Sequence, residues 1–170
     1  MTRLQKIVER FKERLAEIRT ENGYRTDAGK RTVLVDTEAD PQRAYEGETF
    51  DAGLVIQIQP GEPLDESGNV ALGGQAAAKF SREITIFGFR KLANRADWFG
   101  PGQELEADIK QALFGELSDR RYYRDTGLEQ IRMGTAAARV PGYGDEFLGV
   151  EVALEIVYVE NLSNPWEPDD

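Results

Sequence analysis

The twelve residues KFSREITIFGFR, positions 79–90, decide how the rest of this chain is read. Ile84 and Ile86 fall on one side of an extended backbone, and Thr85, Phe87 and Phe89 on the other. Apolar residues on both sides of the second half predict a central strand, because an edge or surface strand alternates apolar with polar. Two further strands are predicted before it and two after it. One face of this strand is expected to carry helices. The other is expected to meet either a second sheet or a neighbouring subunit.

The strands upstream are short. Residues 31–36 place Val33 and Val35 on one side, after a turn signalled by Asp27, Ala28 and Gly29. Residues 52–59 alternate Leu54, Ile56 and Ile58 with Val55 and Gln57, and Pro60 is expected to stop that strand. Between this strand and the central one lies a long connection, 60–78, opening PGEPLDESGN and running on through Val70 and Leu72. Connections of this length are uncommon inside a compact domain and usually either carry function or lack order. Here the two readings are an extended hairpin tip that touches a neighbour and a disordered loop.

Helices complete the pattern. In residues 3–20, Leu4, Ile7, Val8, Phe11, Leu15 and Ile18 recur at spacings of three and four, giving an amphipathic helix closed by Asn22 and Gly23. After the aromatic pair Trp98 and Phe99, residues 104–117 align Leu105, Ile109, Ala112 and Leu113, with Glu106 and Lys110 as an i,i+4 pair. Trp98 either seals the core or stands as an interface anchor. Residues 128–137 and 147–159 are the last strands. In the second, Val150, Val152, Leu154, Ile156 and Tyr158 share a face, and its length is expected to carry it beyond the sheet or across a subunit seam. The fold class expected is α+β. A mixed or antiparallel sheet of about five strands packs against two main helices in the order α-β-β-β-α-β-β. One domain covers 1–162, and 163–170 form an acidic tail in which Trp166 docks on the parent domain or on a partner.

Composition narrows the chemistry. The 170 residues contain no cysteine and no histidine, so thiolate nucleophiles, His-based triads and the commonest zinc ligands are excluded. GYGDEFLG at 142–149 departs from GxGxxG. DESGN at 65–69 lacks the ligand spacing of a calcium loop. Glu151 and Glu155 cannot be assigned acid and base roles without geometry. The expectation is a protein that is not an enzyme and takes no cofactor and no metal. The N-terminus lacks the apolar run of a signal peptide, and no stretch has the length of a membrane span.

The formal net charge is -10, with nine Lys/Arg against five Asp/Glu in residues 1–31 and no Lys or Arg after Arg139. Such a surface repels a phosphate backbone. DRRYYRDTG, 119–127, is the one basic and aromatic stretch, and its interleaved Asp119 and Asp125 favour an ion-paired surface or subunit contact over nucleic-acid binding.

The order and spacing of RTENGYRTDAGKRTV (19–33), LVIQIQP (54–60), EITIFGF (83–89), EADIKQAL (106–113) and the closing strand before NPWEP (164–168) carry a resemblance. Over nearly its whole length the chain resembles the tail terminator, or tail completion, proteins of tailed bacteriophages. The resemblance implies a virion protein of the tail, assembled in the host cytoplasm. It forms a ring, most often a homohexamer, that ends polymerisation of the tail tube and joins the tube to the head completion proteins. Self, tail tube protein and head completion protein are the partners implied, with DNA only as passing cargo through an acidic lumen and no membrane. The interface candidates are Leu64, Asp65, Val70 and Leu72 in the long loop, Arg120, Arg121, Tyr122, Tyr123 and Arg124 in the arginine stretch, and Trp166 in the tail. Alternatives are a tail tube or head–tail joining protein of the same kind of particle, and a protein-binding adaptor without catalysis.

Overall fold

The computed structural model describes residues 1–31, 34–36, 50–64, 77–115, 123–142 and 144–166. Helix α1 (Arg3–Ala16) starts at a capping box, in which the Thr2 hydroxyl accepts from the Gln5 N–H and the Gln5 side chain accepts from the Thr2 N–H at 2.8 Å. It then buries Ile7, Val8, Phe11 and Leu15. It ends earlier than the apolar spacing predicts. The amides of Glu17 and Ile18 turn back to the carbonyls of Arg14 and Leu15, tightening the last turn, and a 3₁₀ turn at Thr20–Asn22 follows. Ile18 still reaches the core, and Gly23, at φ 89°, supplies the left-handed residue at the close.

Five strands form one sheet in the order β1-β2-β3-β5-β4, from β1 (Leu34–Asp36), β2 (Ala52–Pro63), β3 (Ala77–Lys91), β4 (Leu128–Arg139) and β5 (Phe147–Asn161). β1 lies parallel to β2, and all other pairs are antiparallel. With α2 (Phe99–Phe114) between β3 and β4, the fold is α+β in the expected order.

Two expectations about strands are corrected. Pro60 does not end β2. The β2–β3 register slips between Ile58 and Gly61, and this irregularity takes up a residue that cannot donate to a ladder. β5 does not run past the sheet. All fifteen of its residues are paired with β3, from Phe147 opposite Lys91 to Asn161 opposite Ala77, so its length matches an equally long neighbour.

The register lines up Ile56, Ile86, Val152 and Ala136 across four strands on one face. That face receives both helices, and Leu105 and Ile109 of α2 settle over Gly88, where an added Cβ would stand 3.1 and 3.0 Å from them. The opposite face carries a small separate cluster of Val55, Phe89, Phe50, Phe87 and Phe147 that includes no helix residue. In it the Phe50 ring lies 5.0 Å from Phe89 and 4.9 Å from Phe147. β3 is therefore apolar on both faces, as its sequence predicts, for two different reasons.

Residues 18–30, which follow α1, are bound down rather than free. Buried Asp108 of α2 accepts from the backbone N–H groups of Arg25 and Thr26 and from the Thr26 hydroxyl, the last two at 2.7 Å. A 3₁₀ turn at Ala28–Lys30 follows. Within it, the Gly29 N–H donates to the Ile18 carbonyl at 2.9 Å. Asp27 accepts from the Thr20 N–H and pairs with Lys30, and these contacts hold its carboxyl below the ordinary 3.8. A carboxyl depressed in the folded state stabilises the fold above its unfolded pKa, and that contribution is lost as pH falls through the lower folded value. The expected result is that Asp27→Asn flattens the acid limb of the stability curve below about pH 4, measured by urea titrations at stepped pH, and leaves the slope above pH 6 unchanged.

Candidate assembly surface

β4 is an edge strand. It pairs with β5 on one side, and no described strand lies on the other. None of its twelve residues is buried. Two register irregularities, at Leu128/Gln130 and Met133/Ala136, bend it, and Glu129, Arg132 and Arg139 stand along it in ion pairs with Lys79, Glu155 and Glu151. Bulges and charges on an edge are the usual means of preventing indiscriminate strand addition. The edge is exposed but blunted, so a specific neighbour must use more than its backbone.

Apolar groups stand at both ends of this edge. Of seven exposed large apolar side chains among the described residues, five lie there. At the end where β4 finishes and β5 begins, Phe99 is 63% and Val140 62% exposed. Trp98 meets the Phe99 ring edge-on at 5.6 Å and is only half-buried, so it stands at the rim and does not seal the core. Two contacts hold this end together: Arg95 donates to the Pro141 carbonyl at 2.8 Å, and a Cβ at Gly102 would lie 2.8 Å from that of Ala138. At the other end, where β5 finishes, Met1, Leu162 and Trp166 are exposed, Trp166 by 63%. The Trp166 backbone bridges to Thr2, and the neighbouring Arg3 donates to the Val159 carbonyl at 2.6 Å. The tail thus docks on its parent domain through backbone while its indole faces outward.

The remaining interface candidates fall in different places. Leu64 closes the β2–β3 hairpin, its N–H donating to the Lys79 carbonyl at 2.8 Å, and is half-buried. Tyr123 belongs to the core: it is 7% exposed, its hydroxyl donates to the Leu113 carbonyl, and its ring meets Phe11 edge-on at 5.6 Å. Little of it is left for a neighbour. Arg124 begins the 3₁₀ turn Arg124–Thr126 that leads into β4. Asp65, Val70, Leu72, Arg120, Arg121 and Tyr122 lie outside the described residues. Phe99 and Val140 were not singled out as interface residues by the sequence; the only signal was the adjacency of two aromatics at 98–99.

On the sheet face away from the helices an open cleft of about 650 Å³ runs between the irregular stretches of β2 and β4, past Gln59, Ser81, Glu83, Thr135 and Glu155. Within it Glu155 accepts from the Ser81 hydroxyl at 2.8 Å and faces Arg132. Among the described residues no group of three or more acidic side chains is placed to hold a metal ion, and no helix is long and apolar enough to cross a membrane. No protein-family model matches the chain, and no curated protein matches its sequence.

Proposed function

We propose that this chain is a structural virion protein of the tail-terminator kind, a ring that caps the tail tube and presents a surface to the head completion proteins. The observation that carries the reading is the β4 edge, long and unburied, with outward apolar groups at both of its ends. A single subunit leaves this surface to water, and closed symmetry covers it. The sequence resemblance supports the same reading, and so does the element order α-β-β-β-α-β-β. The net charge of -10 suits a lumen through which DNA passes without adhering. In this role the chain performs no catalysis and takes no cofactor. Its work is geometric: it ends a polymer by offering the tube one complementary face and the head another.

The test is negative-stain microscopy of the purified chain, alone and mixed with tube subunits of the same particle. The reading requires closed rings and tubes that carry one ring at an end. Open tubes grown from the chain itself would identify a tube protein instead. Particles that bind neither tube nor head proteins would leave the adaptor.

A further inference from the structure

We infer that residues 161–166 are a strap closed over the start of α1, and that the strap and the helix cap open and close as one unit, ahead of the rest of the fold. The two are joined at a single residue, Thr2. Its backbone makes an isolated antiparallel bridge with Trp166. Its hydroxyl and N–H form the capping box with Gln5, and its carbonyl accepts from the Lys6 N–H at 3.1 Å. A movement that takes Thr2 away from Trp166 therefore also disturbs the cap. The tail is shaped to reach this residue. At the end of β5 the Asn161 side chain accepts from the Ser163 N–H at 3.0 Å and from the Asn164 N–H at 3.2 Å, which turns the chain back. Pro165 disfavours a helical Asn164, and this suits an extended return.

Little apolar burial holds the strap down. Leu162 is 40% exposed, and none of residues 161–166 or 1–6 is buried. Their hydrogen bonds are open to exchange with water, so each contributes little net stability. The core begins one residue further on, at fully buried Ile7, and continues with Val8 and Phe11. Segments with few buried apolar contacts and exposed hydrogen bonds are the ones that open at low free energy, as contiguous units. Arg3 marks the limit of this unit. Its guanidinium donates to the Val159 carbonyl at 2.6 Å and lies against Gly127, where an added Cβ would stand 2.6 Å from Nε. Val159 belongs to β5 and is paired with Lys79, so Arg3 ties α1 to the sheet without the tail. Opening thus leaves the helix in place. It releases its cap and presents residues 162–166, with the Trp166 indole, as an arm at the end of β5. This device belongs to the single subunit and stands or falls apart from the ring.

Solvent-exchange NMR on the full chain and two variants, Thr2→Ala and Asn161→Ala, tests this, with each variant read in the half it does not touch. Thr2→Ala removes the cap hydroxyl and keeps the backbone that bridges to Trp166. If cap and strap open as one unit, the whole loss appears in their shared opening constant. Exchange at the Ser163 and Asn164 amides should then rise about fivefold, the size of a lost cap. Asn161→Ala removes the acceptor that turns the tail, and exchange at Gln5 and Lys6 should rise in turn, because coupling between two sites is reciprocal. Asn161→Asp keeps an acceptor oxygen and should restore the wild-type rates at Gln5 and Lys6. The Ile7 and Phe11 amides should exchange at wild-type rates in all three, showing that the fold is intact. An acceleration under about twofold in either far half overturns the inference, since each contact would then open alone. Acceleration that spreads equally to Ile7 and Phe11 also overturns it, because the strap would then open only with the whole helix.

Discussion

Replacing Asp108 with alanine is expected to lower stability by about 3–4 kcal/mol, among the largest losses available from a single polar side chain. The carboxylate is 2% exposed and sits on α2, yet its partners belong to residues 25 and 26, more than eighty positions earlier. It accepts from both backbone N–H groups and from the Thr26 hydroxyl. Truncation leaves these donors facing a cavity, and buried Thr26 has no access to bulk water. Asparagine keeps the shape and can still accept from Thr26, but its amide turns a donor toward the Arg25 N–H. Its cost should therefore be about half that of alanine. Urea denaturation followed by circular dichroism reads both values. A loss under about 0.5 kcal/mol for Asp108→Ala would mean that the 23–31 segment is held by something else.

The second large effect is expected at Gly29. The segment 28–30 lies directly on the end of α1, backbone against backbone. A Cβ at position 29 would stand 2.3 Å from the Leu15 carbonyl oxygen and 2.7 Å from that of Ala16. Neither oxygen is on a flexible side chain, so the contact cannot be relieved by a rotamer change. Gly29→Ala should cost about 2–3 kcal/mol and Gly29→Val more, since the two segments must separate and release the Gly29–Ile18 hydrogen bond. Gly149 serves as the control. It has no atom within 4 Å of a built Cβ and ordinary backbone angles, so Gly149→Ala should change stability by less than about 0.5 kcal/mol.

What the sequence reveals here depends on how local the signal is. The period-two pattern of β5 identifies its inward face without error, because Val150, Val152, Leu154, Ile156 and Tyr158 all prove buried. The apolar positions of α1 from Ile7 onward behave the same way, down to Ile18 beyond the helix end, while Leu4 in the first turn is only partly buried. Features that depend on pairing were not legible. Pro60 reads as a stop when β2 is taken alone, and only the slipped register against β3 shows how the strand absorbs it. The length of β5 suggests an overhang until β3 is seen to match it residue for residue. Asp108 looks like one more surface acid on a charged helix, since its three donors come from a distant turn.

The candidate assembly surface was legible only in part. Trp166 is conspicuous as a lone aromatic in a polar tail, and its indole stands exposed. Tyr123 sits beside arginines in sequence, but its ring turns inward to Phe11, a direction that composition cannot report. Phe99 and Val140 are ordinary apolar residues by sequence. Only the start of α2 against Ala138 brings them to the same end of the sheet and leaves them in solvent.

The central claim is that this chain ends a polymer, and tube length tests it most directly. Tail tube subunits polymerised with increasing amounts of the chain should give tubes whose mean length falls as the ratio rises. Electron microscopy should show one ring of this protein at a single end of each tube. Tubes of unchanged length with bare ends, or the chain incorporated along their walls, would contradict the account.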